Sequence, residues 1–519
     1  MEKENKLISG KKEKIISWFK DPYNLVFVLA IVFIVGLRFY YFTLTKNQPI
    51  WWDESEYMSK AKAIAGLVEY QSVSIRSPLF PGLMSIFFFL GITNEVVMRF
   101  LALFLPSIIV VLLTYFLVKQ MYPDKRVALI SMILMGVLWE HLFYSNRFHT
   151  ENIALIFEFL AILVLYQCYF KKQELYFIKA KYSLIYVLLF TVLSFLFRPG
   201  NILFAPAIIL FLIIVNKDKI FNKKGLIGLI IFAFLLICSF IFTNIPQSFL
   251  NQYLHLDVPL GWNSLTVFYG FFQSVISPIP SILFYALLIG FIVILFKSSI
   301  ILDKIKSIKV DSEDLEFKSN IFNLLLILTV LFIFVFIMRA TIFEYRWFFP
   351  LLPAMLAFTS KGIIFFSNFI GSITKSKYFS AILVLLILFF GAYNQVVHAD
   401  SIIKVKVDSY SEVRDAAIWA KQNYDKSEEI LTISYPQTVY YSEMNVLSYS
   451  EIASSSDFDE FLNINKPKLL EISGFENHPS WINDWIADNE KRITPVRVYF
   501  ADESQQQPLL ILYEISYDS

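Results

Sequence analysis

Three carboxylates, Asp53, Glu54 and Glu56, crowd the segment Trp51-Trp52-Asp53-Glu54-Ser55-Glu56-Tyr57. A carboxylate at the mouth of a cavity can take the proton of an acceptor hydroxyl. The spacing Asp53-x-x-Glu56 also has the form of a capping box opening a helix. Both hold together if Glu56 caps while Asp53 or Glu54 faces the cavity. Further on, Arg76-Ser77-Pro78-Leu79-Phe80-Pro81-Gly82 joins an arginine to a proline-bounded turn. The prolines set the start of a short helix, and a guanidinium held beside them matches phosphate oxygens in a bidentate fork. A third segment, Tyr144 to Asn152, carries Arg147, His149, Thr150 and Glu151. It reads either as a helix start with Thr150 as cap and Glu151 favoured by the dipole, or as the place of a second acid. Asp53 and Glu151 with His141 or His149 are ligand types for a divalent metal, but no ligand spacing supports one. No cofactor is assigned, and a metal is left open.

The elements that must position these groups are set by composition. Of 519 residues, 57% are hydrophobic, 18% aromatic and only 17% charged, which a soluble domain of this length cannot bury. A span needs about 20 apolar residues. Eleven candidates start near Tyr23, Glu95, Val127, Asn152, Ser183, Asn201, Leu226, Ser281, Ile321, Trp347 and Phe379, the fifth and sixth separated by Arg198-Pro199-Gly200. Lysines 3, 6, 11, 12 and 14 precede the first run, and no small-residue cleavage site follows it, so it reads as an uncleaved signal anchor. Lysines recur in alternate loops, among them Lys171/Lys172/Lys179/Lys181 and Lys217/Lys219/Lys223/Lys224, whereas Thr243 to Pro280 has neither Lys nor Arg. The positive-inside rule then puts residues 1–22 in the cytoplasm and the carboxyl terminus outside. Cys168 and Cys238 lie in apolar runs, so no disulfide is expected.

This orientation gathers the chemistry on one face: Asp53, Glu54, Glu56, Arg76, Arg99, Glu140, His141, Arg147, His149, Glu151, Arg198, Arg339, Glu344 and Arg346. Ionisable groups at membrane level are costly and mark water-filled functional cavities, although those at helix ends can snorkel. Within the membrane domain, residues 23–397, the outer loop 44–94 contains an amphipathic helix from Glu54 to Gly66. The apolar run Leu79–Ile92 follows, too short to span and read as an interfacial or re-entrant helix. After His398 the chain becomes a soluble α/β domain, 398–519. Helices are predicted at Glu412–Tyr424 and Trp481–Asn489, and strands at Glu429–Ser434, Lys468–Ser473, Val496–Phe500 and Leu509–Ile515.

The ordered set Asp53-Glu54-x-x-Tyr57, Arg76-Ser77-Pro78-Leu79-Phe80-Pro81, Glu95-x-x-x-Arg99, Arg147…Glu151, Arg198-Pro199 and Tyr345-Arg346-Trp347-Phe348-Phe349-Pro350-Leu351-Leu352-Pro353 resembles the GT-C glycosyltransferases that use polyprenyl-phosphate sugars. The chain is similar to glycosyltransferase family 39 in the broad sense, which includes protein O-mannosyltransferases and is akin to aminoarabinose transferases. The resemblance covers roughly Tyr23 to Phe366. It implies Asp53 as catalytic carboxylate with Glu54 beside it and Glu151 as second acid. Arg99, Arg198 and Arg346 are implied as candidates for the carrier phosphate; Arg76 joins them by the match of guanidinium to phosphate, and Tyr57, Arg147, His149 and Tyr345 are further candidates. Two positions depart from the family pattern: Glu151 where Asp is common, and Arg198 where Lys is common.

The resemblance implies a plasma-membrane enzyme that moves a sugar from a polyprenyl-phosphate donor to a protein, lipid or glycan acceptor outside the cytoplasm, by inverting displacement. No P-loop is present, and nothing points to nucleic acid as a partner. The alternatives are a transporter or flippase for lipid-linked sugars and a non-catalytic assembly protein. Transporters commonly show internal repeats, which this chain lacks.

Overall fold

The structure, a computed structural model, describes residues 17–69, 71, 77–215, 282–305, 314–333, 345–501 and 506–517, with a few positions between 227 and 238. It divides into two compact units. The first comprises residues 1–44, 100–146 and 150–404, and the second 45–99, 147–149 and 405–519.

The helices in chain order are α1 Pro22–Thr45, α2 Asp53–Ile64, α3 Leu79–Phe89, α4 Glu95–Arg99, α5 Leu105–Met121, α6 Lys125–Val137, α7 Trp139–Tyr144 and α8 Glu151–Val164. They continue with α9 Ser183–Phe197, α10 Phe204–Val215, α11 Ile282–Ile305, α12 Leu315–Phe332, α13 Leu352–Ile373, α14 Lys377–Lys406 and α15 Ser411–Asn423. Among the described residues, seven helical stretches are long and apolar enough to cross a membrane. They answer the candidates at Tyr23, Glu95, Asn152, Ser183, Ile321, Trp347 and Phe379. The candidates at Asn201 and Ser281 fall on shorter apolar helices, and that at Leu226 lies mostly outside the described residues.

The Val127 candidate is interrupted: α6 ends at Val137, and Leu138, with ψ 118, turns the chain into α7. Nothing in Gly136-Val137-Leu138-Trp139 announces the break. It is stabilised from afar by Arg38 of α1, which donates to the carbonyls of Met135 and Gly136 at 3.1 and 3.2 Å. The core of this unit is apolar and continuous. Its tightest approach is α11 on α13, where Gly290 faces the Phe358 carbonyl and Gly362 the Ala286 carbonyl with no room for a Cβ. Small residues of this kind let membrane helices pack backbone to backbone.

In the second unit β1 Glu429–Leu431, β2 Asn445–Leu447, β3 Leu469–Ser473, β4 Ile493–Phe500 and β5 Pro508–Ile515 form one sheet in the order β2-β1-β3-β5-β4. β1 pairs in parallel with β2 (Ile430 opposite Val446) and with β3 (Ile430 opposite Leu469). β5 runs antiparallel to β3 and β4. Pro495 is tolerated because β4 is an edge strand, bulged at that point. The helices between strands are α16 Tyr435–Ser442, α17 Ser455–Asn465 and α18 Ile482–Asp488. The segments expected at 412–424, 429–434, 468–473, 481–489, 496–500 and 509–515 form as expected in type. α16, β2 and α17 were not anticipated. Tyr435-Pro436-Gln437-Thr438-Val439-Tyr440-Tyr441 is rich in residues that favour strands, and Pro436 at the helix start decides for the helix.

Glu471 on β3 is buried and accepts from Thr432 Oγ1 at 2.8 Å. Burial is the main cause that pushes its carboxyl up to about 8, with Glu476 adding to it. The unfolded chain releases this proton near pH 4.3, so between there and about 8 the folded state holds the extra proton. Stability is therefore full below the lower value and lost as pH rises through the upper one. Protease resistance of residues 405–519 in the intact protein is expected to fall from pH 5 to pH 8, and Glu471→Gln is expected to flatten that dependence.

Candidate active site

In the second unit, α2 begins at Asp53 itself, with Trp52 in the N-cap position and no side-chain cap bond. This corrects the capping-box reading of Asp53-x-x-Glu56. The two acids differ sharply. Asp53 is partly exposed, whereas Glu54 is fully buried. Glu54 Oε1 accepts from Arg147 Nε at 2.7 Å and Oε2 from the Phe148 backbone N–H at 2.8 Å. Arg99 Nη1 lies 3.9 Å from Oε2 while its Nη2 donates to the Gln48 carbonyl at 2.7 Å. Arg147 also lies over the Trp51 ring at 4.1 Å, and Arg99 over Phe148 at 4.7 Å. Arg99 and Arg147 thus serve a carboxylate distant in sequence. Tyr57 is buried edge-on against Phe80, with ring centroids 5.4 Å apart.

In the first unit, Glu151 opens α8 with Thr150 as N-cap residue but without the side-chain cap bond expected of it. Arg198 follows α9 in extended conformation, at the break read from Arg198-Pro199-Gly200. Its Nε lies 3.4 Å from Glu151 Oε1, and Arg346 Nη1 lies 3.6 Å from the same oxygen. Arg198 Nη2 donates to the Arg346 carbonyl at 2.6 Å, so the two guanidinium-bearing segments are joined directly. Arg198 Nη1 reaches Asn201 Oδ1 at 3.3 Å, and Asn201 Nδ2 donates to Glu158 Oε2 at 3.0 Å and to Ser194 Oγ at 2.8 Å. Two guanidinium groups thus reach one oxygen of Glu151, and guanidinium is the side-chain group that matches phosphate oxygens in a bidentate fork.

Sequence reasoning missed Arg38, Asn201 and Glu158. Arg38 and Glu158 each break an apolar run, and an ionisable residue inside a span is itself the signal. Arg38 Nη2 contacts His141 Nδ1 at 2.8 Å, and His141 Nε2 contacts Asn152 Oδ1 at 2.8 Å. Both ring nitrogens of His141 are thereby engaged, one of them by the residue that follows Glu151 in the chain. His149 is buried, with its backbone N–H on the Arg147 carbonyl at 2.6 Å. Among the described residues no three His, Cys, Asp or Glu side chains converge as a metal site. Arg76, Arg339 and Glu344 lie outside the described residues, as does the side chain of Tyr345.

The family described as dolichyl-phosphate-mannose-protein mannosyltransferase matches the sequence over residues 76–242. Solved structures share the fold. The oligosaccharyltransferase of Archaeoglobus fulgidus in complex with Zn and sulfate superposes with a TM-score of 0.58 at 14% identity, over 86% of this chain and 67% of that one. The same protein tethered to an acceptor peptide gives 0.60 at 14%, over 96% and 75%. This protein has the GT-C glycosyltransferase fold. ArnT from Cupriavidus metallidurans bound to undecaprenyl phosphate extends the likeness, with a TM-score of 0.52 at 10% identity over 93% of this chain and 97% of that one. No curated protein sequence matches the chain. Within the GT-C frame, the family-matched stretch holds Arg99, Arg147, Glu151 and Arg198, while Asp53, Glu54 and Arg346 lie outside it.

Proposed function

We propose that this GT-C protein transfers a sugar from a polyprenyl-phosphate donor to a protein, lipid or glycan acceptor on the outer face of the plasma membrane. The observation that carries the reading is the convergence of Arg198 and Arg346 on Glu151. A donor phosphodiester carries one negative charge, and the departing lipid phosphate gains more as its bond to the anomeric carbon breaks. Guanidinium groups fixed beside that phosphate therefore favour the transition state over the ground state. Glu151 keeps the two guanidinium groups apart and oriented. Asp53 is assigned the acceptor's proton, as the family resemblance implies, and direct displacement at the anomeric carbon inverts that centre. The energy is stored in the donor, so the step needs no nucleotide. The lysine distribution supports an amino terminus in the cytoplasm and a carboxyl-terminal unit outside.

Donor affinity tests the phosphate assignment. Replacing Arg198 or Arg346 with Gln is expected to weaken binding of a polyprenyl-phosphate sugar to the purified, folded protein by about ten- to a hundredfold, the range for a lost charge-assisted hydrogen bond. Lys is expected to restore part of it as a point charge without the fork. Unchanged affinity in both Gln variants would remove these arginines from the site and leave them as anchors of helix ends.

A further inference from the structure

The first turn of α2 carries Asp53 without a side-chain cap, so its start depends on the turn before it. Trp52 adopts φ 48 and ψ −119, and Tyr410, just ahead of α15, adopts φ 66. Bulky L-residues rarely occupy this region, and such strain persists only where surrounding contacts enforce it. These two strained residues meet. Trp52 Nε1 donates to Tyr410 Oη at 2.8 Å, and the Trp51 ring lies 5.2 Å from that of Tyr410. Tyr410 is in turn stacked on Phe475, with centroids 5.0 Å apart and planes at 26°. Phe475 follows β3, so the contact leads from the acidic loop into the carboxyl-terminal sheet domain. The far end of α2 is tied to the same domain by Lys62, whose Nζ lies 2.8 Å from Glu443 Oε1.

We propose that Tyr410 is a positioning residue for Asp53: its ring and hydroxyl hold the Trp51–Trp52 turn that sets where α2 starts and where its first carboxylate stands. The carboxyl-terminal domain thereby acts as a bracket for the catalytic loop. This rests on the reading of Asp53 as general base. Tyr410 touches neither donor nor acceptor in this scheme. Its effect should appear in kcat, with the donor KM unchanged because the phosphate arginines belong to other segments.

The test uses the full-length protein with Tyr410→Phe, Trp52→Phe and the double variant. Hydrogen exchange is read over residues 47–56, and transfer is assayed with a polyprenyl-phosphate sugar. Tyr410→Phe keeps the ring stack and removes the hydroxyl, so folding is retained. Exchange in the segment is expected to quicken about tenfold and kcat to fall about tenfold, the factor one hydrogen bond commonly carries. Trp52→Phe should act in the same direction and no more strongly, because the Tyr410 hydroxyl also reaches Glu476, and the double variant should fall no further than Tyr410→Phe alone. Unchanged exchange in Tyr410→Phe overturns the proposal whatever Asp53→Asn does. Faster exchange with undiminished kcat, in a protein that Asp53→Asn inactivates, overturns it too. An active Asp53→Asn enzyme would instead remove the general-base reading, and the exchange result would still decide what holds the loop.

Discussion

Asp53→Asn is expected to lower sugar transfer by roughly a hundredfold or more, the usual worth of a positioned general base, with donor binding intact. The substitution keeps the shape of the side chain and removes the oxygen that accepts a proton. Asp53 is the acid of the pair with partial exposure, while both oxygens of Glu54 are taken by Arg147 and the Phe148 N–H. A base must be reachable by the proton it removes, and Asp53 alone of the two satisfies that. Arg198 and Arg346 belong to segments far from Asp53 in sequence, so donor affinity should respond to them and not to Asp53. Turnover and donor affinity measured on the same purified sample check this. Near-normal turnover in Asp53→Asn would defeat the assignment.

The parts of this arrangement legible in the sequence are those with local signals. Arg198-Pro199-Gly200 announces a helix end because proline and glycine act on their own backbone, and α9 does stop at Phe197. The apolar runs at Tyr23, Glu95 and Phe379 announce long helices by length and composition alone. What the sequence hides is partnership at a distance. The break after Val137 is held by Arg38, about a hundred positions earlier, through carbonyls that carry no side-chain signature. Glu54 and Arg147 are likewise far apart in the chain, so neither residue type reveals that the ion pair is buried. α16 was missed for another reason: its tyrosines, threonine and valine favour strands, and the local signal for a helix is a single residue, Pro436 in its first turn. The expected capping box failed because a three-residue spacing fits many helix starts, and here the helix begins one residue earlier than that spacing requires.

Glu54→Gln separates holding the fold from doing the chemistry. Glu54 is fully buried, with Arg147 at 2.7 Å and Arg99 at 3.9 Å. Gln keeps the volume but removes the charge and places an NH₂ group where one oxygen accepted. Either the Arg147 guanidinium or the Phe148 N–H then faces another donor. Two arginines, each mostly buried, lose their carboxylate, and breaking a buried pair by removing one partner costs about 3–5 kcal/mol. The expected result is a lower thermal unfolding midpoint and a smaller yield of folded protein on extraction, with activity lost in proportion to folded protein. Arg147→Gln should be damaging as well, since Arg147 also covers the Trp51 ring. Combining it with Glu54→Gln should cost less than the sum of the two, because both changes act on one ion pair. A Glu54→Gln protein that unfolds like the parent yet transfers no sugar would transfer the catalytic assignment to Glu54. In that event Asp53→Asn should remain active, and loss of transfer in both variants at parental stability would assign the chemistry to the two acids together.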